Sequence, residues 1–438
     1  MNQSLEQDLR TIGRAWKVFL FAALLSMITS MALSPARAHA RTEDLSPGTE
    51  VFLVTIGPGE LVWERFGHNG IWIRDEEKGF DRVYHWGLFD FQSENFWPKF
   101  LKGYMDYSIG SIAAPQFFQY NMESNRSIWV QEINLIADQK NALVRLLKKN
   151  DSEGNRIYRY DYYLDNCSTR ARDALDAVLG GAIKQAAEGR GSGKSFRSNT
   201  RRLLQMMPLP YLGIQLGLGH PADEEISIWR DMFTPMSLRR HLNTIKLPGG
   251  APLVKSDKFI YSSSKITEPE TLRSYLYFFL PVSASLGLLF ATLGYLSAAG
   301  KRPARLLLGL FGALWALLSG GIGIILVVIW GFTEHRFGHW NENILQFNPL
   351  SLILAGFLAV LLFRGRLSKT GMKCLYAVTA LSMLGFILQA LPVFDQTNAE
   401  IISLALPPHL GLLWAVRSAG PAVLREKGRG RTARAPSH

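Results

Sequence analysis

Tyr160-Asp161-Tyr162-Tyr163-Leu164-Asp165-Asn166-Cys167-Ser168-Thr169-Arg170 carries one of only two cysteines in 438 residues. The segment leading into it, Arg156 to Tyr163, is strand-like. Beyond it Ala171, Ala174, Leu175, Val178 and Leu179 recur at i, i+3, i+4, i+7 and i+8, the spacing of an amphipathic helix. Ser168 or Thr169 is placed to cap that helix, and Gly180-Gly181 to end it. The stretch is therefore a strand-to-helix junction with a cysteine at the helix start. The chain before it reads as a small β-rich domain, and the chain beyond residue 272 or so reads as membrane. The expected architecture is an α+β domain followed by an all-α transmembrane domain of about five helices.

Apolar runs occupy about 274–297, 306–331, 349–363, 374–393 and 400–416. A span needs about 20 residues, so the third and fifth are short but each can cross. Lys301, Arg302 and Arg305 follow the first run, Arg364, Arg366, Lys369 and Lys373 the third, and Arg417, Arg425, Lys427, Arg429, Arg431 and Arg434 the fifth. Loop 332–348 has Arg336 as its only basic residue apart from histidine, and loop 394–399 has no Lys or Arg. The positive-inside rule puts the basic loops in the cytoplasm and the other two outside. The N-terminus agrees. Arg10, Arg14 and Lys17 precede an apolar run from Val18 to Leu33, and Ala38-His39-Ala40 offers an A-x-A cleavage pattern. Residues 1–40 are expected to be a signal peptide, or an uncleaved signal anchor. Residues 41–270 form an exported domain, 271–416 the spans, and 417–438 a basic cytoplasmic tail fit to meet anionic lipid heads. The expected location is a bacterial inner membrane, multi-pass, with the first domain in the periplasm. The net charge of +12 then serves orientation, and no nucleic-acid partner is expected. Cys374 falls at the cytoplasmic edge of the fourth span and cannot pair with Cys167. A lone exported thiol is disfavoured unless it is used.

Upstream, Val51 to Gly57 reads as a buried strand ending in a Gly-Pro-Gly turn. The second half of Trp63-Glu64-Arg65-Phe66-Gly67-His68-Asn69-Gly70-Ile71-Trp72-Ile73 reads as another, with His68, Gly70 and Trp72 on one face and Ile71 and Ile73 on the other. Val83 to Gly87 reads as a third, and the hairpin can bring His85 near His68. Residues 89–108 are rich in aromatics, which either pack as core or line an apolar cleft for acyl chains. Strand Ser127–Ile133 and helix Ile136–Lys149 follow. Residues 188–201 are expected to be a mobile basic loop, 226–242 helical and 252–261 extended. Gly189 to Ser195 is not a phosphate loop, because Glu188 stands where its first glycine is required.

A nucleophilic cysteine needs a thiolate, a base and a group that orients the base. A helix N-terminus favours an anion on Cys167, and its free N–H groups can serve an oxyanion. His68 is the candidate base and His85 the candidate orienter, as in Cys-His-Asn sites. Asn166, Glu64, Arg65 and Arg170 are polar neighbours of these motifs, expected to support the site, with salt bridging the plainer role. The outward loop from Phe332 to Asn343, including Asn341 and Asn343, is placed to hold a headgroup beside the cleft. His335 and His339 have metal-like i, i+4 spacing, but no third ligand is evident. Neither a metal nor a cofactor is expected.

The order strand-His, strand-polar, Asn-Cys opening a helix resembles the circularly permuted papain-like folds. These include NlpC-type amidases and the lecithin:retinol acyltransferase group. More closely, Trp63 to His68, Tyr84-His85-Trp86-Gly87-Leu88-Phe89-Asp90-Phe91 and Tyr160 to Arg170 resemble the Lnb family, a periplasmic domain followed by membrane helices. Ala222-Asp223 through Trp229-Arg230-Asp231-Met232-Phe233-Thr234-Pro235 and Asn341 to Leu345 with Asn348-Pro349-Leu350 extend the resemblance. It implies lipoprotein N-acylation: a phospholipid donor acylates Cys167, His68 acts as base, and a bacterial lipoprotein amine accepts the chain. The alternatives are a membrane-tethered cysteine amidase or peptidase acting on peptidoglycan, and a non-catalytic lipid- or protein-binding module.

Overall fold

The computed structural model describes residues 45–419 apart from Phe91, Ser93 and Gly365. The expected signal segment and the basic tail beyond Ala419 lie outside the described residues.

Seven strands form one antiparallel sheet. They are β1 (Glu50–Ile56), β2 (His68–Asp75), β3 (Phe80–Leu88), β4 (Met105–Ala113), β5 (Ile128–Ile133), β6 (Ile157–Tyr160) and β9 (Val254–Tyr261). Their order across the sheet is β6-β4-β3-β2-β1-β5-β9. Alternation sorts the side chains. Ile71, Ile73, Tyr84 and Trp86 face the helices Ala137–Asn150 and Cys167–Val178, meeting Leu143, Leu147, Ala171 and Leu175 in the main core. The other face carries Phe52, Val54, Val83 and Val130 against Phe117 of helix Ala114–Glu123. The domain is α+β, and the histidine strands precede the cysteine helix as expected.

Residues 188–201 depart from the mobile loop expected of them. Gly191–Ser195 is β7, paired with β8 (Glu225–Ser227), and Ser195 caps the helix Phe196–Leu204. Its arginines are buried, each on a carboxylate: Arg197 on Asp223 at 2.8 Å, Arg201 on Glu400 at 2.7 Å and Arg202 on Glu268 at 2.8 Å. The polar composition signals internal ion pairs here. The 226–242 region is two helices, Ile228–Asp231 and Pro235–Leu242, around a turn.

Among the described residues five helices are long and apolar enough to cross a membrane: Leu276–Ala298, Arg302–Phe332, Glu342–Phe363, Lys369–Leu388 and Ala399–Ala419. The third gains length from a 3-10 turn, Glu342–Leu345, ahead of the α-helix Leu350–Arg364. Small residues let the helices approach closely: a Cβ on Gly287 would lie 2.6 Å from Pro407 O, and one on Gly294 2.4 Å from Ala415 Cα.

The outward ends of these helices lock onto the sheet domain. Glu400 opens the fifth span, 5% exposed, and accepts from Arg201, Tyr211 (2.6 Å), Ser274 (2.9 Å) and the N–H of Tyr275 (2.7 Å). Arg336 pairs with Asp161 at 2.8 Å. The starts of spans one, three and five and the end of span two therefore share one side with the exported domain. This is the side assigned by the Lys and Arg distribution.

Candidate active site

Asn166 is held extended and its side-chain oxygen accepts from the N–H groups of Ser168 (2.9 Å) and Thr169 (3.0 Å), which makes it the helix cap. The cap expected at Ser168 or Thr169 is thus two to three residues earlier. Both of those residues lie inside the first turn, and the Ser168 hydroxyl instead donates to Asn69 Oδ1 at 2.7 Å. The Asn166 amide nitrogen donates to Tyr162 O and Phe233 O, each at 3.0 Å. Asn166 is saturated by structure, and it fixes Cys167 as the first helical residue.

His85 pairs across the ladder with Gly70, which lies two residues beyond His68 on β2. A Cβ on Gly70 would stand 3.4 Å from His85 Cβ and 2.7 Å from Val83 Cγ1, so glycine keeps this position open. His68 Nε2 and His85 Nδ1 are 3.0 Å apart. Both rings rest near Phe117, at 6.5 and 5.4 Å between centroids. This leaves Nδ1 of His68 as its remaining nitrogen.

Past the Gly70–His85 pair the two strands part. β3 bulges between Trp86 and Leu88, with Gly87 at φ +87°. Cys167 occupies the opening. A Cβ on Gly87 would lie 3.9 Å from Cys167 Cβ, and the N–H groups of Asn69 and Ser168 point at the thiol sulfur. Asn69 directly follows His68, so β2 carries the imidazole and a donor to the thiol on adjacent residues, with the imidazoles on the Phe117 face and Cys167 packed against the opposite core. Among the described residues no hydrogen bond joins Sγ to either imidazole; contacts of this kind tighten on substrate binding.

Burial pushes the Cys167 thiol above its ordinary 9.0, against the pull of the two N–H groups, the Ser168 hydroxyl and the charge of Arg126. Burial first, then His85 and Arg126, hold His68 well below 6.5, and burial holds His85 at about 4. The thiolate expected from the helix end alone is thus outweighed by desolvation, and the resting pair is thiol and neutral imidazole. Arg126 gives no local sign in the sequence, where it stands just before β5. It is 6% exposed, donates to Gly57 O at 3.0 Å and lies 3.9 Å from Glu64 Oε1. Its charge acts on both Cys167 and His68.

The remaining residues separate. Glu64 is the counterion of Arg126. Arg65 lies in the same 3-10 turn, its Nε buried with no hydrogen-bond partner among the described residues. Arg170 is bound in two places by Asp165, Nη2 to Oδ2 at 2.6 Å, and lies over the Tyr158 ring at 4.2 Å. Asn341 and Asn343 are not beside the cysteine. They donate to Gln215 O, Leu216 O and Gly217 O, the last carbonyls of helix Pro208–Gly217. Those carbonyls have no intrahelical partners, so this loop caps a helix of the sheet domain from more than a hundred residues away. In the structure both asparagine side chains are engaged in that cap. His335 and His339 are engaged separately, by Phe100 O at 3.1 Å and Thr333 O at 3.2 Å.

Residues 37–205 match the Lnb N-terminal periplasmic domain, and residues 273–406 the Lnb transmembrane domain. No curated protein and no solved structure matches the chain. The two family matches span more than half of the sequence and cover six of the sheet's seven strands, the cysteine helix and most of the helical bundle, so the chain belongs to the Lnb family.

Proposed function

We propose that this protein is a cysteine acyltransferase of the bacterial inner membrane that moves an acyl chain from phospholipid to the N-terminal amine of lipoproteins. The observation that supports it is Cys167 at a capped helix start, in a domain that also carries the linked His68–His85 pair and is tied to the outward ends of membrane helices.

The neutral pair defines the first step. His68 takes the thiol proton as Sγ attacks the ester carbonyl of the phospholipid. The carbonyl oxygen gains the negative charge, which the positive end of the helix, the Asn69 N–H and Arg126 stabilise. The C–O ester bond then breaks, and the leaving alkoxide takes the proton from His68 as lysophospholipid departs. Cys167 is left as a thioester. In the second step the lipoprotein amine attacks the thioester carbonyl and gives its proton to His68. The C–S bond breaks, the thiolate recovers the proton, and the product is an amide. His85 holds the imidazole through Nε2, which keeps Nδ1 available for both transfers.

The test is intact-mass analysis of the full-length protein after incubation in dipalmitoyl phosphatidylethanolamine vesicles. The expected result is one palmitoyl adduct on Cys167, released by hydroxylamine and missing from Cys167→Ala. An unmodified Cys167, together with a Cys167→Ala protein that restores lipoprotein triacylation in a deficient strain, overturns the proposal.

A further inference from the structure

Between β4 and the helix Phe96–Lys102 lies a cleft of about 550 Å³, within the range of about 300–1,000 Å³ of small-ligand sites. Phe89, Phe96, Phe100, Tyr104 and Tyr107 line it, with Leu88 at its inner end. Their rings form a row: Tyr107 to Phe89 is 5.1 Å between centroids, Phe89 to Phe96 6.4 Å, and Phe96 to Phe100 6.0 Å. The helix also turns apolar side chains outward, Trp97 at 59% exposure and Leu101 at 66%. Asp90, Glu94, Lys99 and Asp106 also line the cleft, so the aromatic row is an apolar strip with a charged rim, and an apolar patch on a folded domain marks a place where something apolar binds.

The helix is tied to the outward end of the second span. Glu334 N–H donates to Lys102 O at 2.8 Å, and His335 meets Phe100 O. Gly103, at φ +83°, lies so close that a Cβ would be 3.1 Å from the Glu334 carbonyl carbon. The span ends only two residues earlier, at Phe332. The helix is therefore fixed at the outward end of that span. Its aromatics with Lys99 and Lys102 are the composition of an interfacial segment.

The other end of the cleft approaches the thiol. Tyr107 stacks on Tyr160 at 4.2 Å, and Leu88 follows Gly87. The Cβ position of Gly87 is 3.9 Å from both Cys167 Cβ and Tyr160 Cε2. One layer, made of Gly87 and the Tyr160 ring, separates the aromatic row from Cys167.

We infer that this cleft takes a long acyl chain of a glycerophospholipid from the outer leaflet, entering beside the helix Phe96–Lys102 seated in the headgroup region. The fate of the chain at Cys167 rests on the acyltransferase reading; its binding in the cleft does not.

Two measurements separate these. First, full-length Cys167→Ala protein is placed in phosphatidylethanolamine nanodiscs containing a phospholipid with a diazirine at the end of one palmitoyl chain. After irradiation, peptide mass spectrometry is expected to find label on residues 88–108. Label confined to the spanning helices overturns the site. Second, Ser108→Phe fills the cleft from β4, and Cys167 adducts are compared with dipalmitoyl and dioctanoyl phosphatidylethanolamine. The palmitoyl-to-octanoyl rate ratio is expected to fall about tenfold. An unchanged ratio counts against the site while leaving the acyltransferase reading intact. Cleft labelling with no adduct on native Cys167 removes the acyltransferase reading and leaves the acyl site. Where Ser108→Phe does not fold, the cross-link decides.

Discussion

Cys167 shows two opposing effects at one atom. The helix start and Arg126 draw the thiol toward its anion, and burial pushes it back above 9.0. Desolvation wins, so in the proposed reaction attack and proton transfer go together, with His68 as acceptor. Alkylation of Cys167 by iodoacetamide is therefore expected to be slow at neutral pH and still rising at pH 9. A rate already on a plateau in the acid range would mean a preformed ion pair and contradict the neutral resting state. Arg126→Met removes a charge that favours the thiolate. It should slow alkylation at pH 8 by about tenfold, one pKa unit. The imidazoles set an acid limit. Bases held below 6.5 bind protons more readily in the unfolded chain, so stability present above pH 6.5 falls as pH drops through it. The His85 contribution levels off below its folded value of about 4. Heat unfolding across pH 7 to 4 reads this directly.

At the scale of elements, the site depends on where β2 and β3 part and on what carries Asn166 to that point. Phe233 O holds the Asn166 amide. The segment 222–235 is in turn pinned by Asp223 on Arg197, which is 1% exposed and also donates to Gln215, Leu218 O and Gly219 O. Asp223→Ala strands a buried guanidinium without its counterion. The expected loss is about 3–5 kcal/mol, read by denaturant unfolding of the detergent-solubilised protein, with Asp223→Asn losing less because an acceptor remains. A loss near 1 kcal/mol, the worth of an exposed pair, would show that Arg197 finds other compensation. This same region marks the limit of what the sequence reveals. The β2–β3 hairpin is legible because alternation fixes which residues share a face, and that alone predicts His68 beside His85. The cysteine helix and the spans are legible for the same reason, periodicity and length. Residues 188–204 are not. Arginines at polar spacing read as surface unless their carboxylate partners are known, and those partners lie at 223, 268 and 400. Arg126, and the capping done by Asn341 and Asn343, are hidden likewise, since each acts on residues distant in sequence.

At the scale of the molecule, the exported domain does not finish its own hydrogen bonding. The last carbonyls of helix Pro208–Gly217 are met by Asn341 and Asn343, and Gln396 adds to Arg197 on Leu218 O; all three belong to loops of the membrane domain. Arg201, 8% exposed, has its carboxylate in the fifth span. A chain ending at residue 270 therefore loses the caps of one helix and the counterion of another. It keeps every strand of the sheet. Each lost bond is worth about 1 kcal/mol. Three such bonds lower the local opening free energy enough to speed amide exchange about a hundredfold, because local stability differs between parts of one fold. Hydrogen exchange of residues 45–270 produced alone should thus be fast across 196–218 and unchanged in β1, β2 and β3. The neighbouring Asp223 and Phe233 contacts would loosen with that region, so Asn166 and the position of Cys167 should follow. Iodoacetamide should then reach Cys167 faster in the truncated domain than in the full chain. Equal exchange at 196–218 in the two proteins would show that the domain is complete without its spans, and that the contacts at Glu400 and Asn341 join two finished parts.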